Sequence, residues 1–425
     1  MKVGEERTRR AVAWIGVAAL GMVVAGVVYL RPSLAPPVAA TPAAPTPPAV
    51  PWGPWRLASA SFADANHGTV LFYSSEQAPT AVFLTSDGGK TWQLAARARN
   101  GFALAAYLDS RTVVAQTVSN PGPAKVGSTN PGPASTRLSV DAGRTWRQLT
   151  DPRAGAGPGL PGFLDAQHAW WIDRRPSPDA HTPVTIWRTT DGGRSWRELM
   201  ASGLPASGFA GQLVFTDPLH GVLALTPAGG SLSAMATGDG GQTWRPGETP
   251  QTPFQGTRIL SWSILRYGHR LLSWLLAVPD STLTVVGTLV TPQLGSSIDY
   301  MPFVSVSDDS GQTWSRPRAA PNVVQPAYIG LSPRLDDRGR LVLLDDRRLW
   351  ISADGGATWT ARLMQAPAGL RPATLVSAGP RTLYALAANT GPIDIVTPGT
   401  PLALIRSTDG GAQWSAVALP PPSSP

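Results

Sequence analysis

Two patterns of apolar and polar positions divide this chain. Ala11 to Leu30 is an unbroken run of 20 uncharged, mostly apolar residues. At about 1.5 Å per residue a helix of that length crosses a hydrocarbon core of ~30 Å. Residues 32–51 then carry eight prolines and no charge. Beyond them the apolar runs become short, as in Ala81-Val-Phe-Leu84, Val222-Leu-Ala-Leu225, Leu341-Val-Leu-Leu344 and Leu349-Trp-Ile351, each bounded by Gly, Asp, Ser or Thr. Runs of this length between turn residues predict β-strands joined by tight turns.

The first run reads as a membrane anchor. Trp14 and Tyr29 stand near its ends, where amphipathic rings favour the interface. Lys2, Arg7, Arg9 and Arg10 precede it and only Arg31 follows closely, which predicts a cytoplasmic N-terminus and an exported remainder. A cleaved signal peptide ending at Val38-Ala39-Ala40 is the competing reading. The run exceeds the ~7–15 residues of a signal core, which favours an uncleaved anchor. The expected organisation is a cytoplasmic tail over 1–10, a transmembrane helix over 11–30, a Pro/Ala-rich linker over 31–54, one large domain over 55–420 and a disordered tail over 421–425. A segment as rich in Pro, Ala and Thr as the linker cannot build a core and tends toward polyproline II.

The large domain is internally repetitive. The pattern Ser/Thr-x-Asp-x-Gly-x-Thr-Trp occurs at Asp87-Gly-Gly89-Lys-Thr-Trp92, Asp141-Ala-Gly143-Arg-Thr-Trp146, Asp191-Gly-Gly193-Arg-Ser-Trp196 and Asp239-Gly-Gly241-Gln-Thr-Trp244. It returns at Asp309-Ser-Gly311-Gln-Thr-Trp314, Asp354-Gly-Gly356-Ala-Thr-Trp359 and Asp409-Gly-Gly411-Ala-Gln413-Trp414, the last with Gln413 in place of Thr or Ser. Seven copies at near-regular spacing require a repeat architecture. In each, Asp-Gly between apolar runs predicts a hairpin, with the Asp and Ser/Thr side chains bonding the turn amides and hydroxyls. The Trp then presents a large ring to the neighbouring repeat. A fainter pattern precedes some copies: Phe62-Ala-Asp64-Ala-Asn-His67-Gly68, Phe163-Leu-Asp165-Ala-Gln-His168-Ala169 and Phe215-Thr-Asp217-Pro-Leu-His220-Gly221, with Leu335-Asp336-Asp337-Arg-Gly339 as a degenerate relative. It predicts a second hairpin, joining the first and second strands of each unit.

The eight-residue pattern resembles the Asp-box, or bacterial neuraminidase repeat. The Phe-x-Asp-x-x-His-Gly lead-in resembles the repeat of propellers related to the photosystem II assembly and stability factor. The resemblance covers about residues 55–420. It implies an all-β, seven-bladed β-propeller of four-stranded blades, with the box between the third and fourth strands. The box is shared by sialidases, sortilin-type receptors and some glucanases, so it identifies architecture and leaves activity open. Two blades depart from the repeat: the second has an insertion from Asn120-Pro-Gly-Pro to Asn130-Pro-Gly-Pro, and the fifth is longest, least repeat-like over Tyr267–Tyr300.

Composition removes several chemistries. With no Cys there are no disulfides, thiolate metal sites, Fe–S clusters or Cys nucleophile. The net charge of +8 is partly carried by the N-terminal segment, and the mildly basic remainder gives no nucleic-acid signature. Sialidase chemistry implies three Arg, a Tyr with a Glu partner and an Asp. The Arg-Ile-Pro motif of that family is absent, the nearest sequence being Trp55-Arg56-Leu57. Asp336-Asp337 and Asp345-Asp346, the candidate paired carboxylates for glycoside hydrolysis, sit in apparent turns beside Arg338 or Arg347-Arg348 and read as solvated turn charges with surface ion pairs. Gly88-Gly89-Lys90-Thr91 lacks the first Gly of a phosphate loop, and Asp308-Asp309-Ser310-Gly311 lacks the closing Glu of a calcium loop. His67, His168 and His220 occupy one place in three repeats and read as turn caps. No catalytic, cofactor or metal residue is therefore expected.

One surface feature stands out. Lys90, Arg144 and Arg194 occupy the sixth box position, and Arg147, Arg197 and Arg245 follow the box Trp. They form a candidate basic sector for anionic lipid or an acidic partner. The expected protein is a monomeric, membrane-anchored extracytoplasmic propeller that binds a protein or glycan without catalysis, with assembly or stabilisation of a membrane complex as its role. A divergent sialidase-like glycoside hydrolase is the alternative.

Overall fold

A computed structural model describes residues 55–420, apart from connecting segments that include 74–79, 99–100, 120–133, 153–160, 173–183, 228–232, 251–256, 293–300, 322–332 and 389–401. The anchor, the linker and the C-terminal tail expected from sequence lie outside the described residues, as does the Asn120–Pro133 insertion. No helix among the described residues is long and apolar enough to cross a membrane.

The described chain forms seven four-stranded antiparallel sheets, each built from consecutive strands: Arg56–Ala98, Gly101–Leu149, Gly162–Leu199, Gly208–Gly247, Thr257–Ala319, Arg334–Leu363 and Arg371–Ala416. These are blades 1 to 7 of the propeller. First strands touch between blades 1 and 2, 4 and 5, 5 and 6, 6 and 7, and 7 and 1, which puts the first strands innermost. Among the described residues every blade has four consecutive strands of its own, and none of the last blade's strands comes from the N-terminal side of the domain. The ring is therefore closed by side chains.

The two hairpins predicted from sequence fall where expected. In blade 1 the lead-in turn joins the first and second strands, with Phe62 paired to Gly68, and the box joins the third and fourth. The two turns of a blade lie against each other: Gly88 N–H donates to Asn66 O, Gly192 to Gln167 and Gly240 to Leu219. Both turns thus occupy one end of the ring. The connections between second and third strands open at the other end. In blade 5 that connection holds an extra two-stranded hairpin, Leu283–Val286 with Leu289–Pro292, and this accounts for the departure from the repeat there.

The aromatic residues of the repeat pack between blades. Trp92 Nε1 donates to Ala418 O of blade 7 at 2.9 Å, Trp314 joins Val222 and Ala224 of blade 4, and Trp414 joins Val342 and Leu349 of blade 6. The lead-in Phe has the same use. Phe215 of blade 4 stacks on Trp170 of blade 3 at 3.5 Å between centroids. Its motif Gly is needed for close approach, because a Cβ at Gly221 would lie 2.8 Å from the Phe215 ring. Blade 3 has Ala169 there, and Phe163 packs against the blade 2 cluster of Val114, Leu138 and Leu149.

Candidate functional site

The seven Asp-boxes share one hydrogen-bond plan. In blade 2 the Ser139 hydroxyl donates to Asp141 Oδ1 at 2.7 Å and accepts from Gly143 N–H at 2.8 Å. Asp141 Oδ1 also accepts from Thr145 N–H at 2.8 Å, and Oδ2 accepts the Thr145 hydroxyl. The same bonds recur about Asp87, Asp191, Asp239, Asp309 and Asp354. At Asp409 no hydroxyl follows, and both carboxylate oxygens accept from Gln413 N–H at 3.1 Å.

Donors of this kind favour the ionised carboxylate. The hydroxyl and amide of Thr145, with the Ser139 hydroxyl, hold Asp141 at about 2. At Asp87 and Asp239 slight burial acts upward, but the Thr91 and Thr243 hydroxyls and amides bring both down to about 2. The lead-in carboxylates are also occupied. Asp64 Oδ1 accepts from the amides of Asn66 and His67, and His67 Nδ1 lies 2.8 Å from Oδ2. Asp165 with His168 and Asp217 with His220 repeat this arrangement. The three His cap turns, as their spacing suggested. Blade 2 has the same turn without the His, Asp109 accepting from the amides of Arg111 and Thr112. Sequence reading missed it because Tyr107, Thr112 and Val113 replace Phe, His and Gly.

One sequence expectation is corrected. Asp336 is a buried residue, only 2% exposed, and not a solvated turn charge. It accepts from the amides of Arg338 and Arg340, and Arg340 Nε donates to it at 2.6 Å. The degenerate lead-in keeps its Asp but recruits Arg340 where other blades use His. Asp337 and the turn after Asp345 lie outside the described residues. Asp308 pairs with Arg270 at 2.6 Å, and Asp309 accepts the Ser307 hydroxyl of its box. Among the described residues no group of His, Asp and Glu is placed to hold a metal ion.

The candidate basic residues lie at the box end. Lys90, Arg144, Arg194, Arg197 and Arg245 are exposed. Arg147 is half-buried and donates across the blade boundary to Gly192 O, so it also ties blade 2 to blade 3. Burial lowers its pKa, and so does Arg194 beside it. Arg188, which the sequence reading did not single out, lies across from Arg197 in the sheet and donates to Pro218 O of blade 4 at 3.1 Å. Eight turn carboxylates of blades 1–4 (Asp64, Asp87, Asp109, Asp141, Asp165, Asp191, Asp217 and Asp239) share this end, so the basic side chains largely offset charge already present there.

The innermost strands carry a different balance. They hold five Arg (56, 258, 266, 334 and 371) and no Asp, Glu, Lys or His. Two of the five bind blades together. Arg334 Nε donates to Leu375 O of blade 7 at 3.2 Å, and Arg266 donates to Phe215 O of blade 4 and Leu164 O of blade 3. Burial lowers the pKa of both. Arg56 and Arg371 begin the first strands of adjacent blades, at the end away from the boxes, and Arg56 lies across from Tyr73. No local sequence feature marked these residues, because only the topology makes their strands innermost.

No family model and no curated protein matches the chain. Solved structures do. YCF48 from Cyanidioschyzon merolae is similar at 16% identity over 84% of this chain and 96% of its own, with a TM-score of 0.40. The α-L-arabinofuranosidase Arb93A from Fusarium graminearum is similar at 13% identity over 82% and 92%, with a TM-score of 0.38. A prolyl endopeptidase matches at 12% identity with a TM-score of 0.50, over 87% of this chain and 51% of its own. At these identities the likeness is one of fold, and the chain's own seven four-stranded sheets make it a seven-bladed propeller.

Proposed function

We propose that the chain is a membrane-anchored, noncatalytic binding platform, whose exported propeller assembles or stabilises a membrane or envelope complex by holding a protein or a glycan. One observation carries this reading. The repeated carboxylates, hydroxyls and His are spent on turns at one end of the ring, while the connections that differ most between blades open at the other. Variable loops on a rigid scaffold are where recognition evolves with least cost to the fold. The segment Ala11–Leu30 supplies the anchor in this reading, and residues 31–54 the spacer.

A divergent sialidase-like glycoside hydrolase is the second reading. It is favoured by Arg56, Tyr73 and Arg371 standing at the same end of two adjacent blades, and disfavoured by first strands without a carboxylate. Crosslinking and affinity capture of the full chain from its own membranes separates the two. The platform reading expects one stoichiometric envelope partner whose crosslinks map to the end away from the boxes. Hydrolysis of sialosides or arabinans that is lost in Tyr73→Phe, with no such partner, would establish the enzyme instead.

A further inference from the structure

Blade 5 departs from the other blades at one point in its core. Two residues on from the box Ser, its second and third strands set Ser273 directly opposite Ser305. The corresponding pairs elsewhere are Val70 with Phe83, Leu223 with Met235 and Leu343 with Trp350, and every other blade places at least one large side chain there. Both serines are fully buried, and neither hydroxyl has a hydrogen-bond partner. The hydroxyl of nearby Ser307, by contrast, is bonded to Asp309. A buried hydroxyl is costly unless it is hydrogen-bonded, so the pair calls for a ligand.

Two indoles complete the site. Antiparallel pairing puts Ile264 in one row with Ser273 and Ser305, and Trp262 in the next row with Leu275 and Phe303, all on one face of the sheet. That face meets blade 4, where Ile264, Leu271 and Trp314 pack with Val222, Ala224 and Ala234. Trp314 lies on the other side of the serine row, because Ser315 N–H donates to Val306 O. The rings of Trp262 and Trp314 are 6.2 Å apart between centroids, although the first and third strands are about 10 Å apart. The indoles therefore converge over the serines. Each Nε1–H is buried without a partner, whereas those of Trp244 and Trp414 donate to the carbonyls of Gly241 and Gly411.

We propose that the seam between blades 4 and 5 is a binding site for internal water, held by Ser273, Ser305, Trp262 and Trp314. Blade 4 presents Ala224 and Ala234 to this seam, and side chains as small as Ser and Ala leave room between sheets that pack about 10 Å apart. Water has the matching valence. One molecule accepts two hydrogen bonds and donates two, so it can take both indole N–H groups and give its protons to both hydroxyl oxygens. Buried waters ordinarily make about three such bonds, and this site offers four partners. The site is independent of the anchor and of whatever the platform binds.

X-ray radiolysis followed by mass spectrometry tests the proposal on the full chain in detergent, because irradiation turns bound water into hydroxyl radical where it sits. Trp314 and Trp414 are matched, both box residues and both 7% exposed. Trp314 is expected to oxidise several-fold faster than Trp414, and equal rates overturn the proposal. Ser273→Val combined with Ser305→Val replaces the hydroxyls and fills the room. It should slow Trp314 to the rate of Trp414, and an undiminished rate in the folded variant would place the radical source outside the seam and so overturn the site. Ser273→Ala supplies a second, independent sign. Its unfolding midpoint should fall, because a water-bonded hydroxyl has been lost. A rise would mean that an unpaired hydroxyl had been removed from a dry seam, which also overturns the proposal.

Discussion

Tyr384 of blade 7 lies flat on Phe62 of blade 1, 3.6 Å between ring centroids and 7° between planes. The contact joins the two ends of the repeat array. The Tyr384 hydroxyl donates to Ala65 O at 2.8 Å, and Arg406 reaches Gly88 O while lying 5.9 Å from the Tyr384 ring. Trp170, Phe215 and Arg188 build the same arrangement between blades 3 and 4. Ring closure therefore reuses an ordinary blade interface.

Tyr384→Ala is expected to cost about 3–5 kcal/mol, the range for removing a buried aromatic. Tyr384→Phe keeps the stack but leaves Ala65 O without its donor, and is expected to cost about 1 kcal/mol. Urea unfolding followed by Trp fluorescence measures both. A loss under 1 kcal/mol for the Ala variant would mean that this interface does not hold the ring.

Two box residues sit at positive φ without being Gly: Ala142 at 59° and Ser310 at 60°. The other five boxes have Gly there (Gly88, Gly192, Gly240, Gly355 and Gly410), and the left-handed conformation costs an L-residue about 1 kcal/mol. Ala142→Gly should raise stability by about 0.5–1 kcal/mol. Ser310→Gly should gain less or lose, because the Ser310 hydroxyl bonds Thr216 of blade 4 at 2.7 Å. Equal shifts in unfolding midpoint for the two variants would contradict this account.

Gln413→Thr should restore the missing hydroxyl donor to Asp409 and stabilise blade 7 by about 1 kcal/mol. Hydrogen exchange of the Asp409–Trp414 amides is the appropriate local readout, and unchanged protection would refute it.

The box carboxylates predict the acid limb of stability. Asp141 is held at about 2 by Thr145 and Ser139, against ~3.9 in an unfolded chain. A lowered folded-state pKa contributes stability that is fully present above about pH 4 and is lost as pH falls toward 2. Stability should be flat between pH 5 and 7 as far as these groups contribute, then fall over that window. Asp141→Asn should make the fall shallower. A pH series of urea midpoints tests this, and an identical slope in the variant would exclude the box as its source.

Asp336→Ala removes the acceptor for two amides and the Arg340 guanidinium, and is expected to cost about 3 kcal/mol. An exposed turn charge would cost almost nothing, so thermal unfolding of the variant discriminates between the two.

Sequence alone determined the architecture, because the box is a local device. Its Ser or Thr, Asp, Gly and Trp bond and fold within eight residues, so seven copies announce seven hairpins without knowledge of what surrounds them. The lead-in was legible where Phe, Asp, His and Gly were all present. It was hidden at Asp109, where three of the four differ, and misread at Asp336, whose burial depends on Arg340 and the packing around it. Tertiary structure decided everything that depends on which strands become neighbours. It made Arg266 and Arg334 innermost ties between blades, assigned Arg147 to the carbonyl of Gly192, and closed the ring through Phe62 and Tyr384. Those relations join residues in different blades, and an intrablade motif carries no record of its partner across the interface.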